Sequence, residues 1–206
     1  ANFERSDFKE KKLFELCFKN VARYGIETRE EKRKHIIYIG VLFNSKPNLD
    51  VQASMLGPHG FDKNRYIDYE VKKPLFFEVI EFLINKFKDK EGKMLIFTPK
   101  IDSSQAVKDY LSERFPEKTV SVYNSTVSEE EKMVAKTSDI ISSTIKSCGT
   151  GVDIPELRFI INAEPYASDI TANQSSGRLR EYRPDKYTFF IEIVDIGFKR
   201  AYEMYK

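Results

Sequence analysis

From Lys93 onward the chain alternates short β-rich runs with amphipathic helical ones, and this alternation limits the fold more than any other feature. Met94 to Thr98 (MLIFT) reads as a strand. A helix then starts at an Asp102 cap with Gln105 three residues on, and carries an apolar stripe of Val107, Tyr110, Leu111 and Phe115 until Pro116 ends it. Thr119 to Tyr123 and Asp139 to Ser143 read as strands on either side of a short helix at 128–136. Leu157 to Ile161 makes a fourth strand and Tyr187 to Val194 a last one, with helices expected around 169–181 and 199–206. Consecutive strands joined by helices lie parallel when each helix crosses over the sheet. The pattern therefore predicts an α/β fold, a parallel sheet covered by helices, with functional loops at the carboxyl ends of the strands. A chain of 206 residues holds one such core and a small elaboration.

The first 92 residues are less regular. Leu13, Cys17, Val21 and Tyr24 fall at helical spacing between a possible cap at Asp7 and a stop at Gly25. His35 to Phe43 is β-rich, Asn44 to Asn48 has turn chemistry, and Gly57 to Gly60 reads as a loop. Pro74 opens a helix whose apolar face runs through Leu75, Val79, Ile80, Leu83 and Phe87. Charged residues make up 32% of the chain and hydrophobic ones 41%, the balance of a soluble globular protein. A net charge of +2 does not by itself indicate a nucleic-acid binder, so any basic surface has to come from local arrangement. Two cysteines far apart suggest neither a disulfide framework nor a zinc site, and neither His35 nor His59 has a second ligand at metal spacing. No apolar run is long enough for a membrane span, and a cytoplasmic location is expected.

Chemistry concentrates in two segments. Ser142 to Pro155 (SSTIKSCGTGVDIP) directly follows a strand. Its hydroxyls and close glycines let backbone N–H groups approach phosphate oxygens, and Asp153 can accept from a ribose hydroxyl. An ordinary strand-to-helix connection explains the same glycines. Downstream, Asn173 to Glu181 (NQSSGRLRE) sets Arg178 and Arg180 just after Gly177. Guanidinium forks suit phosphate, although a solvated arginine pair on a helix face is the plain alternative. Tyr66 and Tyr69, near Lys63 and Arg65, could stack on a base, or belong to an edge strand or loop.

Taken in order, these segments resemble a known set. Lys93 to Lys100 (KMLIFTPK) is similar to helicase motif IV, Ser143 and Thr144 through Gly151 to Pro155 (GVDIP) to motif V, and Gln174 to Arg178 (QSSGR) to motif VI. Ser121 to Thr126 with Glu129 to Glu131 resembles the strand-and-loop motif that follows motif IV. The chain thus resembles the C-terminal RecA-like domain of superfamily 2 helicases, in particular the phage and viral branch-migration type. That resemblance implies a RecA-like, mostly parallel sheet sandwiched by helices. It also implies an interdomain linker and leading helix over 1–34, and the second RecA-like domain over 35–206.

By the same resemblance Arg178 is the leading arginine finger and Arg180 a candidate second, since Glu181 stands where the motif has its second arginine. Gly151, Asp153, Gln174 and Gly177 contact the nucleotide, while Thr98, Lys100, Asn124, Ser125 and Thr144 hold the sugar-phosphate backbone of a strand, DNA rather than RNA. The cofactor is ATP with magnesium, bound mainly by an N-terminal RecA-like partner domain, and the location the host cytoplasm if the source is a phage or virus. No GxxxxGK[ST] occurs in the 206 residues, because the one Gly-Lys pair, Gly92 and Lys93, has Phe87 at the first glycine position. The chain is expected to support ATP hydrolysis only as part of a larger protein. Two other readings stand beside this one: a non-catalytic RecA-like module that binds nucleic acid or protein, and a Rossmann-like transferase.

Overall fold

The computed structural model describes residues 35–58, 60–148, 152–164, 176–180, 182–183 and 185–205. The expected leading helix at 7–24, the linker over 1–34, His59, Gly151, Gln174 and Glu181 lie outside them. Six strands form one parallel sheet: β1 (Ile36–Phe43), β4 (Lys93–Phe97), β5 (Val120–Tyr123), β6 (Ile140–Ser143), β7 (Leu157–Asn162) and β8 (Thr188–Asp195). Their order across the sheet is β1-β8-β7-β4-β6-β5. After β1 come α1 (Leu49–Ser54), the two-stranded hairpin β2 (Leu56–Gly57) and β3 (Gly60–Phe61), α2 (Lys63–Glu70) and α3 (Pro74–Phe87). Helix α4 (Ile101–Arg114) joins β4 to β5, α5 (Glu129–Ala135) joins β5 to β6, and α6 (Lys199–Tyr205) follows β8.

Strand alternation sorts the core into two layers. Met94 and Ile96 of β4 face one way, with Phe159 and Ile161 of β7, and pack under α3 and α4 through Ile80, Leu83, Ile84, Val107 and Leu111. Leu95 and Phe97 face the other way with Ile141, Ile160 and Phe190, beneath Ala135 of α5, Cys148, Ile154 and Leu179. Strands buried on both faces read as unbroken apolar runs, which is why MLIF and FII carry no polar alternation. β1 sits at the sheet edge and pairs with β8 from Ile36↔Thr188 to Phe43↔Asp195.

Three local expectations shift. Helix α3 buries Phe76, Val79, Ile80, Leu83 and Ile84 and packs Phe87 against the same core, so the expected stripe holds except that Phe76 takes the place of Leu75 and Ile84 joins it. Phe87 reaches the core beside Phe159 and Phe189, at ring distances of 5.1 and 5.5 Å. Helix α4 starts one residue before Asp102. Ser103 Oγ accepts from Lys100 N at 3.0 Å and donates to Lys100 O at 2.7 Å, taking the capping role given to Asp102 and Gln105. The helix expected over 169–181 falls largely outside the described residues. Its described part leaves helix at Ser176, and the chain then turns, with Leu179 N donating to Ser176 O at 3.0 Å.

The segment between β1 and α3 is the elaboration. Asn48 caps α1 by accepting from Val51 N at 2.8 Å, and Asp62 caps α2 by accepting from Asn64 N at 2.9 Å. Met55, Tyr66 and Ile67 pack on Phe198 and Ala201 of the α6 region as a separate small core. Tyr66 is thus a core residue and not a base-stacking platform. Burial first, then the Glu70 and Asp195 carboxyls, push its phenol well above the usual range. No helix among the described residues is long and apolar enough to cross a membrane.

Candidate nucleotide and strand site

The parallel register brings the ends of four strands level. Tyr123 pairs with Ser143, and Phe97 with both Ser143 and Asn162. Asn124, Thr144, Thr98 and Ala163 therefore follow one another along the carboxyl edge, where functional loops of such sheets emerge. The residues expected to hold a strand divide by exposure. Thr98, Asn124 and Thr144 are buried, and their polar atoms brace the loops. Thr98 N donates to Ser143 O at 2.8 Å and its hydroxyl lies 3.3 Å from the same oxygen. Asn124 donates to Ser104 Oγ at 3.1 Å and accepts from Thr126 N at 2.9 Å. Thr144 accepts from Ser147 N at 3.1 Å and donates to Ser147 Oγ at 2.8 Å, closing the turn that seats Cys148. Lys100 and Ser125 are the two of this set that reach solvent.

Cys148 is fully buried among apolar neighbours, so it is a packing residue. Burial pushes its thiol up against the opposing pull of the Arg178 charge.

The two arginines are set by the leucine between them. Leu179 is buried in the second core layer, and its carbonyl lies 3.1 Å from His35 Nε2. Fixing Leu179 turns Arg178 and Arg180 toward the 152–157 segment. Arg178 Nη1 donates to Val152 O at 3.4 Å, and Arg180 Nε lies 3.7 Å from Asp153 Oδ1. The Arg180 and Asp153 side chains are 78% and 65% exposed, so this pair is weak and free to exchange. A cavity of about 260 Å³ opens beside them, lined by Asp153, Glu156, Arg178, Arg180, Tyr182 and Arg183 among others. It runs toward the amino ends of β7 and β4, where Arg183 Nη1 meets Glu91 Oε2 at 3.3 Å. Planar N–H forks around an open cavity fit an oxyanion such as phosphate. Gly177 is exposed at the turn before Arg178. Among the described residues no three His, Cys, Asp or Glu side chains come together as a metal site needs.

Sequence reasoning did not anticipate Tyr182 in the cavity wall, or the charged residues of α2 along the carboxyl edge. Lys63 Nζ lies 3.3 Å from Glu164 Oε1, just after β7, and Asp68 is ion-paired with Lys100. The Asp62 cap was the available signal for α2, but an eight-residue helix of mixed polarity has too short a stripe to register as periodic.

Comparison with known proteins agrees with this architecture. The structure of S. cerevisiae Dbp5 bound to RNA and ADP BeF3 superposes with a TM-score of 0.63 at 17% identity, over 98% of this chain and 45% of that one. The crystal structure of T4 UvsW gives 0.61 at 14% identity, over 78% of this chain and 33% of that one. The C-terminal part of the Fun30 ATPase domain gives 0.51 at 13%, over 63% of this chain and 44% of that one. This chain thus spans less than half the length of each, and at these identities the likeness establishes a shared RecA-like α/β fold. A search of the curated proteins found no match. The model of the helicase conserved C-terminal domain matches residues 76–181, a little over half of the sequence, and the chain belongs to that family.

Proposed function

We propose that this chain is the second RecA-like half of an ATP-dependent helicase or translocase on single-stranded nucleic acid, with Arg178 its arginine finger. The observation that carries the reading is the seating of buried Leu179, which sets Arg178 and Arg180 against Val152 and Asp153 beside an open cavity. ATP with magnesium, held mainly by the first RecA-like domain, supplies the transferable phosphoryl group when bound. The chain's own contribution is electrostatic. Arg178 presents planar donors where negative charge grows, Arg180 is the second candidate, and Asp153 accepts from a ribose hydroxyl once Arg180 releases it. Gly151, Gln174 and Gly177 are the remaining nucleotide contacts.

Along the carboxyl edge, Lys100 and Ser125 contact strand phosphates directly, while Thr98, Asn124 and Thr144 hold the loops that present them. Such contacts position a strand without reading its sequence. We take the strand to be DNA, as the phage-type resemblance of the motif set implies. Dbp5 is bound to RNA in its structure, so competition between DNA and RNA oligonucleotides of one sequence tests the choice.

The decisive variant is Arg178→Ala in a protein containing both RecA-like domains. Its ATP turnover should fall by about 10³-fold or more with nucleotide affinity nearly unchanged. Turnover within tenfold of wild type would remove the finger assignment. The same measurement on Arg180→Ala ranks the two arginines.

A further inference from the structure

The lobe between β1 and α3 lies outside the stretch matched by the family model, which starts at residue 76. It is nevertheless fastened to the functional edge of the sheet. Ser45 N donates to Asp195 at the end of β8 at 3.1 Å, Lys63 pairs with Glu164 after β7, and Asp68 pairs with Lys100 after β4. Helix α2 therefore crosses the carboxyl ends of β7 and β4, beside the loops of Thr98 and Thr144. Its charges cluster there. Lys72 and Lys100 both act on the Asp68 carboxylate, and Lys63 and Lys146 both act on Glu164. Two ion pairs thus line a single edge, with Lys72 and Lys146 adding positive potential at the same carboxylates, although the whole chain is nearly neutral.

The Lys100–Asp68 pair is the informative member. Its side chains are 42% and 49% exposed, so water screens it and an incoming anion can displace the carboxylate. A backbone phosphate offers the same geometry as Asp68, with more acceptor oxygens.

We propose that α2 and the turn after it form an auxiliary strand-binding element: Lys72 of that turn takes a backbone phosphate together with Lys100, and Asp68 occupies Lys100 as a phosphate stand-in until a strand displaces it. This rests on the strand-groove reading above and extends it to a segment outside the family match. Asp68 is then a residue that sets affinity and release, and Lys72 a direct contact. Single-stranded nucleic acid is the partner because the lysines continue the row of Lys100 and Ser125 along the edge.

The test is fluorescence anisotropy of a labelled 20-nucleotide oligo(dT) with the full 206-residue chain, across a salt series. One lost phosphate contact lowers the slope of log affinity against log salt by about 0.7, equivalent to roughly fivefold weaker binding at 0.1 M salt. Lys72→Ala should show both changes. Asp68→Asn should bind tighter, by up to about fivefold, since a competing carboxylate blocks at most one contact. Lys86→Ala, on α3 at the amino end of the sheet, should match wild type. Thermal melts of all variants exclude misfolding as the cause.

If wild type binds while Lys72→Ala and Asp68→Asn leave affinity and slope unchanged, the role of α2 is overturned and the groove reading stands. If wild type binds no oligonucleotide at all, the groove reading falls and this inference with it. Polyglutamate that binds as tightly, with the same response to both variants, would make the partner an acidic polypeptide and overturn the proposal.

Discussion

Glu70 shows how burial redirects a side chain that looks ordinary in sequence. It ends α2, is 5% exposed, and lies against Asp195, to which it hydrogen-bonds. Its Oε1 has no hydrogen-bond partner among the described residues. Burial, then the Asp195 charge and hydrogen bond, push its carboxyl up to about 8, against the pull of Lys73. Glu70 is thus protonated in the folded protein at neutral pH and ionised in the unfolded chain. A raised folded value means that its contribution is fully present below the ordinary glutamate range and is lost as pH rises through about 8. Thermal melts of wild type should therefore fall between pH 5 and pH 8 more steeply than those of Glu70→Gln, which cannot ionise. Parallel profiles would show that Glu70 is not the titrating group. Nothing in the sequence distinguishes Glu70 from the other glutamates, because what raises it is burial in the fold and then Asp195, 125 residues away in the chain. Tyr66, left open in the sequence between stacking on a base and lying in an edge strand or loop, is settled by a contact just as distant. Its phenol looked available beside two basic residues until α2 turned it onto Phe198, at 5.1 Å between ring centroids. Arg178 and Arg180, by contrast, were legible as a pair. What the sequence did not reveal was that Leu179 is the anchor between them.

At the scale of elements, legibility followed length and burial. Every strand of the parallel sheet is legible to within a residue or two: the inner strands because those buried on both faces are apolar throughout, and the exposed edge strand β1 through its β-branched and aromatic residues. Helices α1 and α2 were missed, since they are short and rest on a small side core. The turn into β4 was only half read. Gly92 has a φ of 104°, and its surroundings add a tighter requirement. A Cβ there would stand 2.5 Å from Arg158 Cβ. Arg158 is itself committed, donating to Tyr187 O and Glu91 O at 3.0 Å each, and so ties the amino ends of β4, β7 and β8. Gly92→Ala thus combines backbone strain with a clash against a side chain that cannot move freely. A loss of more than about 1 kcal/mol is expected, read as a lower urea midpoint with unchanged slope. A matching midpoint would mean that the turn relaxes without displacing Arg158. Ser128 offers a milder comparison. It caps α5 reciprocally with Glu131, through Ser128 N to Glu131 Oε2 at 2.7 Å and Glu131 N to Ser128 Oγ at 3.2 Å, so Ser128→Ala should cost about 1 kcal/mol.

For the whole molecule, strand order decides which residues can act together. Placing β4 between β6 and β7 sets the loops of Thr98, Thr144 and Glu164 side by side, although they come from three separate crossings of the sheet. Under the proposed function, that arrangement is one half of a composite site. The described cavity offers guanidinium donors beside the carboxylates of Asp153 and Glu156, and the 206 residues contain no GxxxxGK[ST] loop to cradle a triphosphate. Positioned donors lower a barrier only for a phosphoryl group that something else holds and orients, because their advantage depends on fixed geometry. The chain by itself should therefore turn over no ATP above background in a phosphate-release assay, with or without oligonucleotide. Addition of a first RecA-like domain in trans should restore activity that depends on Arg178 and rises with the concentration of the added domain. Turnover by this chain alone that survives Arg178→Ala would mean a complete site elsewhere in it, and the division of labour between two halves would have to be abandoned.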